Sequence, residues 1–260
     1  MNIGTRTTKL LVVLLLASAS ARGAGFLDFF DKKPTTNATA SALSSLSGLS
    51  EDQIVGGLKE ALGKGVQQAV AKLGQSGGFL EDLNVKIPMP ANLQKVEKTL
   101  RTLHQDGLAD EFVTTMNRAA EQAVPEAAAV LGDSVKQMSI ADAKSILVGT
   151  NNAATEYFRR TSGTDLQARL LPIVKAATEK AGVTSAYKRM TDKAGGALGG
   201  LGGLGSSLLG VEAPDLDGYI TSKALDGLFL KIAEQEKMIR DNPVARTTDL
   251  LQKVFGAVAK

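Results

Sequence analysis

Cysteine and tryptophan are absent from the 260 residues, histidine occurs once, and aromatic residues make up 4%. Without cysteine the chain has no disulfide framework, no thiolate metal site and no lipidated cysteine at a processed N-terminus. The lone His104 has no second histidine or thiolate with which to hold zinc, and its place near a helix end suits a half-exposed capping side chain. The expectation for metals and cofactors is none. Charge of one sign is scarce as well: 30 Lys and Arg stand against 27 Asp and Glu, a formal net charge of +3. No basic cluster accompanies that small excess, which argues against nucleic acid as a partner.

What is present is enough apolar material, 43% of the chain, for a sizeable core. The first 21 residues have the order of a secretory leader: a basic front at Arg6 and Lys9, an apolar run from Leu10 to Leu16, and Ala19 and Ala21 in an A-x-A pattern. That run is too short for a transmembrane helix, so the expected product starts at Arg22, carries no membrane span and is periplasmic or extracellular. Removing the leader takes away two positive charges and no acids, leaving the mature chain close to neutral. Residues 22–49, in which the small apolar patch Phe26, Leu27, Phe29 and Phe30 is followed by a Ser-, Thr- and Ala-rich stretch at 31–49, read as a flexible tether, and 50–260 as a single helical domain.

Helical punctuation runs through that domain. Ser50 and Gln53 have capping-box spacing and precede the apolar stripe Ile54, Leu58, Leu62, Val66, Leu73, with Gly74 expected as a left-handed stop. Gly57, Ala61, Gly65 and Ala69 recur at every fourth position, which allows another helix to approach closely. Pro88 and Pro90 impose an extended segment; a helix then runs from Leu93 to Gly107, and another from Leu108 to Ala123. Pro125 opens the next, and Ser139 with Asp142 the one after. Ala153 to Arg160 reads as a short helix, Leu166 to Lys180 as one kinked or restarted at Pro172, and Asp217 as the cap of a long helix ended by Pro243. Val244 to Phe255 reads as the last helix. With no alternating strand pattern, the fold class is all-α: a compact bundle of about eight to ten mostly antiparallel helices and no sheet.

Ala194 to Gly210 is a Gly/Leu-rich run, read as a mobile loop in which Leu201, Leu204 and Leu208 form a candidate lid over an apolar groove. Gly200 to Gly205 spells G-x-G-x-x-G, but the strand before it and the acidic ribose partner after it are missing, so the run is not a dinucleotide site.

The chain resembles a bacterial family known as domain of unknown function 4197. The resemblance rests on Gly57-Leu58-Lys59-Glu60-Ala61-Leu62, Ile87-Pro88-Met89-Pro90, Met116-Asn117-Arg118-Ala119-Ala120-Glu121 and Ala153-Ala154-Thr155-Glu156-Tyr157-Phe158-Arg159-Arg160. It continues through Lys223-Ala224-Leu225-Asp226-Gly227-Leu228-Phe229, Glu236-Lys237-Met238-Ile239-Arg240 and Val254-Phe255-Gly256, and spans about Leu43 to the C-terminus. It implies an exported helical protein and assigns no activity.

Two polar pairs at i, i+4 spacing stand out, Asn117 with Glu121 and Glu156 with Arg160. Each reads either as a surface or boundary pair worth about 0.3–0.5 kcal/mol, or as part of a polar cluster that fixes helix register or lines a pocket. The candidate cluster comprises Asn117, Arg118, Glu121, Glu156, Tyr157, Arg160 and Arg240, because an inward Glu156 needs Asn117, Arg118 or Arg240 to offset its desolvation. No residue is assigned a catalytic role. The expected function is non-catalytic binding or assembly in the cell envelope, with an apolar small molecule or an envelope protein as partner. The alternative is a hydrolytic enzyme using Glu121 and Glu156 if they converge in a cleft.

Overall fold

A computed structural model of the chain describes residues 50–199, 214–242, 245 and 248–258. Among them there is no strand: the elements are α1 (Glu51–Gly74), α2 (Gln94–Thr102), α3 (Asp106–Ala123), α4 (Ala127–Gln137), α5 (Ile140–Val148), α6 (Ala153–Ala181), α7 (Val183–Gly199), α8 (Leu216–Asp241) and α9 (Asp249–Val258). Short 3-10 turns at Ala91–Leu93 and Val124–Glu126 lead into α2 and α4, the second carrying Pro125 in its first turn.

Local chemistry starts these helices. Ser50 accepts from the Gln53 N–H while the Gln53 side chain accepts from the Ser50 N–H, and Ser139 and Asp142 repeat that reciprocal cap on α5. On α8 the cap is Asp215, which accepts from the Gly218 N–H at 2.9 Å; Asp217, expected in that role, lies one residue inside the helix and accepts from the Thr178 hydroxyl at 2.6 Å. The α2 end is a Schellman closure: the His104 N–H donates to Arg101 C=O and the Gln105 N–H to Leu100 C=O, with His104 in the left-handed region at φ 55°. Gly107, expected to end α2, belongs instead to the first turn of α3. Gly74 is not the left-handed stop either; φ turns positive three residues later, at Gly77.

Two helices differ from the sequence expectation in extent. Residues 153–181 form one continuous helix of 29 residues, not two. Ser162 is buried where a break was expected, and Pro172 is on the solvent side, so losing one backbone hydrogen bond there does not end the helix. Helix α7, unread in the sequence, buries Val183, Ala186, Met190 and Ala194, a clean 3-4-4 stripe. It carries the chain to Gly199, so the first residues of the expected 194–210 loop are helical, held by the buried Ala194. Leu201, Leu204 and Leu208 lie outside the described residues.

α1 packs against α4, α5, α8 and α9, while α6 packs on α3, α4 and α8, and α7 lies against α2 and α3. Phe79, Phe112 and Phe158 are fully buried in the core they share. Gly65 faces α8, where an added Cβ would stand at an ordinary contact distance, 3.5 Å, from the Gln235 Cβ, whereas one on Gly74 would meet the Pro125 Cγ at 2.9 Å. No helix of the described residues is long and apolar enough to cross a membrane.

Candidate functional site

The segment joining α1 to α2, residues 75–90, is irregular yet buries Phe79, Val85, Ile87 and Met89. A strap of this kind exposes backbone groups that must be satisfied, and α3 satisfies them. Asn117 Oδ1 accepts from the Ile87 N–H at 2.8 Å, and its Nδ2 donates to Ile87 C=O at 2.9 Å and to Val113 C=O at 2.8 Å. The side-chain amide thus does for Ile87 what a neighbouring strand would do. One turn later Glu121 Oε1 accepts from the N–H groups of Phe79, at 3.1 Å, and Leu80, at 3.3 Å.

From the other side α8 holds the same strap. Lys231, its side chain 3% exposed, donates to Asp82 Oδ2 at 2.7 Å and to Glu234 at 2.8 Å. Burial disfavours the Lys231 charge, but the hydrogen bonds to Asp82 and Glu234 outweigh it and raise its pKa. The Lys231 hydrogen bond in turn holds the Asp82 carboxyl below its ordinary value, against partial desolvation. Tyr219 donates its hydroxyl to Pro88 C=O at 3.0 Å. Gly227 leaves room for the Phe79 ring, whose Cε1 would stand 2.8 Å from an added Cβ.

Fastened in this way, residues 85–89 alternate: Val85, Ile87 and Met89 point into the core, while Lys86 and Pro88 are exposed. The outward residues form one wall of a surface depression of about 440 Å³. The start of α6 supplies a second wall through Asn152, Thr155, Glu156 and Arg159, and α8 supplies the floor through Lys223, Asp226, Gly227, Phe229, Leu230 and Ala233. The Arg159 guanidinium lies 4.5 Å from the Phe229 ring centroid, a cation–π contact.

A second polar centre joins α5 to α6. Glu236, buried on α8, accepts from the N–H of Ala154 at 2.9 Å and from both the N–H and hydroxyl of Thr155 at 3.0 Å. Arg240 donates to Glu236 at 2.9 Å, to Ile146 C=O at 2.7 Å and to Leu147 C=O at 3.3 Å. Acid therefore sits at the positive end of α6 and base at the negative end of α5. The N–H groups of Ala154 and Thr155 are consumed by Glu236 and are not available to a ligand.

The seven residues proposed from sequence do not form one cluster. Asn117 and Glu121 are buried anchors of the strap, not a surface pair. Arg118, between them in sequence, faces solvent. Arg240 belongs with Glu236, whose role was missed although the pair stands at i, i+4 in the sequence. Glu156 and Arg160 are exposed and do not pair: Glu156 lies 3.8 Å from Arg159, and Arg160 lies 3.5 Å from Asp142 of α5. Arg160 also covers the ring of Tyr157, which is buried and donates its hydroxyl to Ser134 C=O at 3.1 Å. With Asp142, Ser145, Ile146 and Ala153, the residues Glu156, Tyr157 and Arg160 line a smaller depression of about 260 Å³. Lys86, Arg159 and Phe229 were not among the candidate site residues, although Arg159 and Phe229 stand in the family motifs; the in–out alternation after Asn84 is the signal that places Lys86 outward.

Glu121 and Glu156 do not converge in a cleft. Glu121 lines neither depression, and its Oε1 is taken up by two strap N–H groups. Among the described residues no group of three or more His, Asp and Glu is placed to hold a metal ion.

The family model described as a protein of unknown function (DUF4197) matches residues 48–256, and the chain belongs to that family. No curated protein and no solved structure matches it.

Proposed function

We propose that this DUF4197 protein is an exported, non-catalytic binding or assembly component of the bacterial cell envelope. We place its contact with a partner molecule in the depression between the strap, α6 and α8. The observation that carries the reading is the wall at residues 85–89. Asn117, Glu121, Lys231 and Tyr219 all serve to fix a segment that has no regular structure of its own, and the residues left facing outward are Lys86 and Pro88. A binding surface prepared in advance loses less ordering entropy when its ligand arrives. The size of the depression is within the range of small-molecule sites, about 300–1,000 Å³. The hydrolytic alternative draws no support from Glu121, which is committed to the strap.

Export rests on the composition of residues 1–21 and is checked by N-terminal sequencing of protein from the producing cell. A start at Arg22 agrees with it, and an intact Met1 contradicts it. The binding reading is tested by native mass spectrometry of the protein isolated from its own envelope, beside Lys86→Glu and Arg159→Glu variants. A bound mass present in the wild type and lost in both folded variants agrees; equal retention in all three overturns the placement.

A further inference from the structure

We infer that the depression takes an anionic amphiphile, a small molecule with one carboxylate or phosphate-monoester head and a short apolar tail. This rests on the binding reading above and adds the ligand class. Three cations from three separate elements border the depression, Lys86 from the strap, Arg159 from α6 and Lys223 from α8, against two acids, Glu156 and Asp226. The acids engage two of the cations only loosely, Arg159 at 3.8 Å and Lys223 at 3.4 Å, in pairs that are well exposed to water. Exposed pairs of this sort are worth about 0–1 kcal/mol, so exchanging such a partner for a ligand's head group costs little. Lys86 has no ion-pair partner among the described residues.

The backbone at Lys86 is held on both sides although it lies outside any helix. Its neighbours Val85 and Ile87 are both buried, Ile87 is held at N–H and C=O by Asn117, and the Lys86 N–H donates to Asp82 C=O at 2.8 Å. Arg159 is restrained by its contact with Phe229 and presents a planar fork suited to a carboxylate or phosphate. Beside the charges, Pro88, Leu230 and Ala233 offer apolar surface to a short hydrocarbon tail, interleaved with the polar Asn84, Asn152 and Thr155, while Val85 and the Phe229 ring are nearly covered. Head and tail are thus both provided for, with the excess charge of the site positive.

The test is calorimetric titration of the purified full chain at pH 7 with decanoate, decyl phosphate and decanol. Both anions should bind, and decanol should bind at least about tenfold more weakly, about 1.4 kcal/mol. Lys86→Gln and Arg159→Gln, each checked for an unchanged melting temperature, should remove that preference while leaving decanol binding as it was. A preference for one anion over the other identifies the head group as carboxylate or phosphate. Decanol binding as tightly as the anions, with all three lost on Leu230→Asp at an unchanged melting temperature, overturns the anion assignment and leaves the binding reading standing. Anion binding that ignores Lys86 and Arg159 overturns it, and so does the absence of binding by all three compounds.

Discussion

Glu236 and Arg240, one turn apart on α8 and 2.9 Å from each other, clamp the end of α5 to the start of α6. The carboxylate takes the N–H groups that α6 leaves unpaired, and the guanidinium takes the last carbonyls of α5. Both side chains are nearly enclosed, at 4% and 10% exposure, so removing one strands the other. Arg240→Ala should cost about 3–5 kcal/mol in urea unfolding. The double variant with Glu236→Gln should cost less than the sum of the single changes, with a coupling of about 0.5–3 kcal/mol.

The opposite outcome is expected at Glu156 and Arg160, whose side chains are 60% and 68% exposed. Glu156→Gln and Arg160→Ala should each change stability by less than about 1 kcal/mol. A loss of several kcal/mol at either would place it in a buried network.

Asn117→Ala leaves the N–H and C=O of Ile87 buried without their partner. An unsatisfied group of this kind costs about 1–3 kcal/mol, and the loss should appear both in global stability and as faster exchange of the Ile87 amide. Gly227→Ala tests the same strap from the side of α8. Its methyl would meet the Phe79 ring, and overpacking of about 1–3 kcal/mol is expected.

Asp82 and Lys231 give the strap a defined pH range. The depressed Asp82 pKa contributes stability above the ordinary value of 3.8, and this is lost as pH falls through the lower folded value. The raised Lys231 pKa contributes stability that is fully present below the ordinary 10.5 and is lost as pH rises through the higher folded value. The contact is therefore at full strength around neutrality. Asp82→Asn should destabilise by about 1–3 kcal/mol at pH 7 and flatten the acid limb of a stability–pH curve. An unchanged acid limb would show that other carboxyls govern it.

What the sequence disclosed was chiefly local. The caps at Ser50 and Ser139 are legible because both partners lie within four residues, and the buried stripe of α1 because helical period sorts it. The strap was legible only as an extended Ile87-Pro88-Met89-Pro90 break. Its anchors act across 30 residues for Asn117 and 42 for Glu121, and Glu236 reaches back 82 residues to Ala154. Such partners leave no periodic trace, so Asn117 and Glu121 could be picked out as unusual while their purpose stayed hidden. Exposure decided the rest: Glu156 and Arg160 share the i, i+4 spacing of Glu236 and Arg240, yet the first two face water and the second two face helix ends.

Residues 85–89 form a fixed wall before any ligand arrives. Native-state hydrogen exchange of the Ile87 amide in the ligand-free chain reads out that fixation. Protection matching that of core amides in α3, such as Met116, is expected, with its loss in Asn117→Ala. Exchange of Ile87 at the rate of an unstructured peptide in the wild-type chain would contradict it.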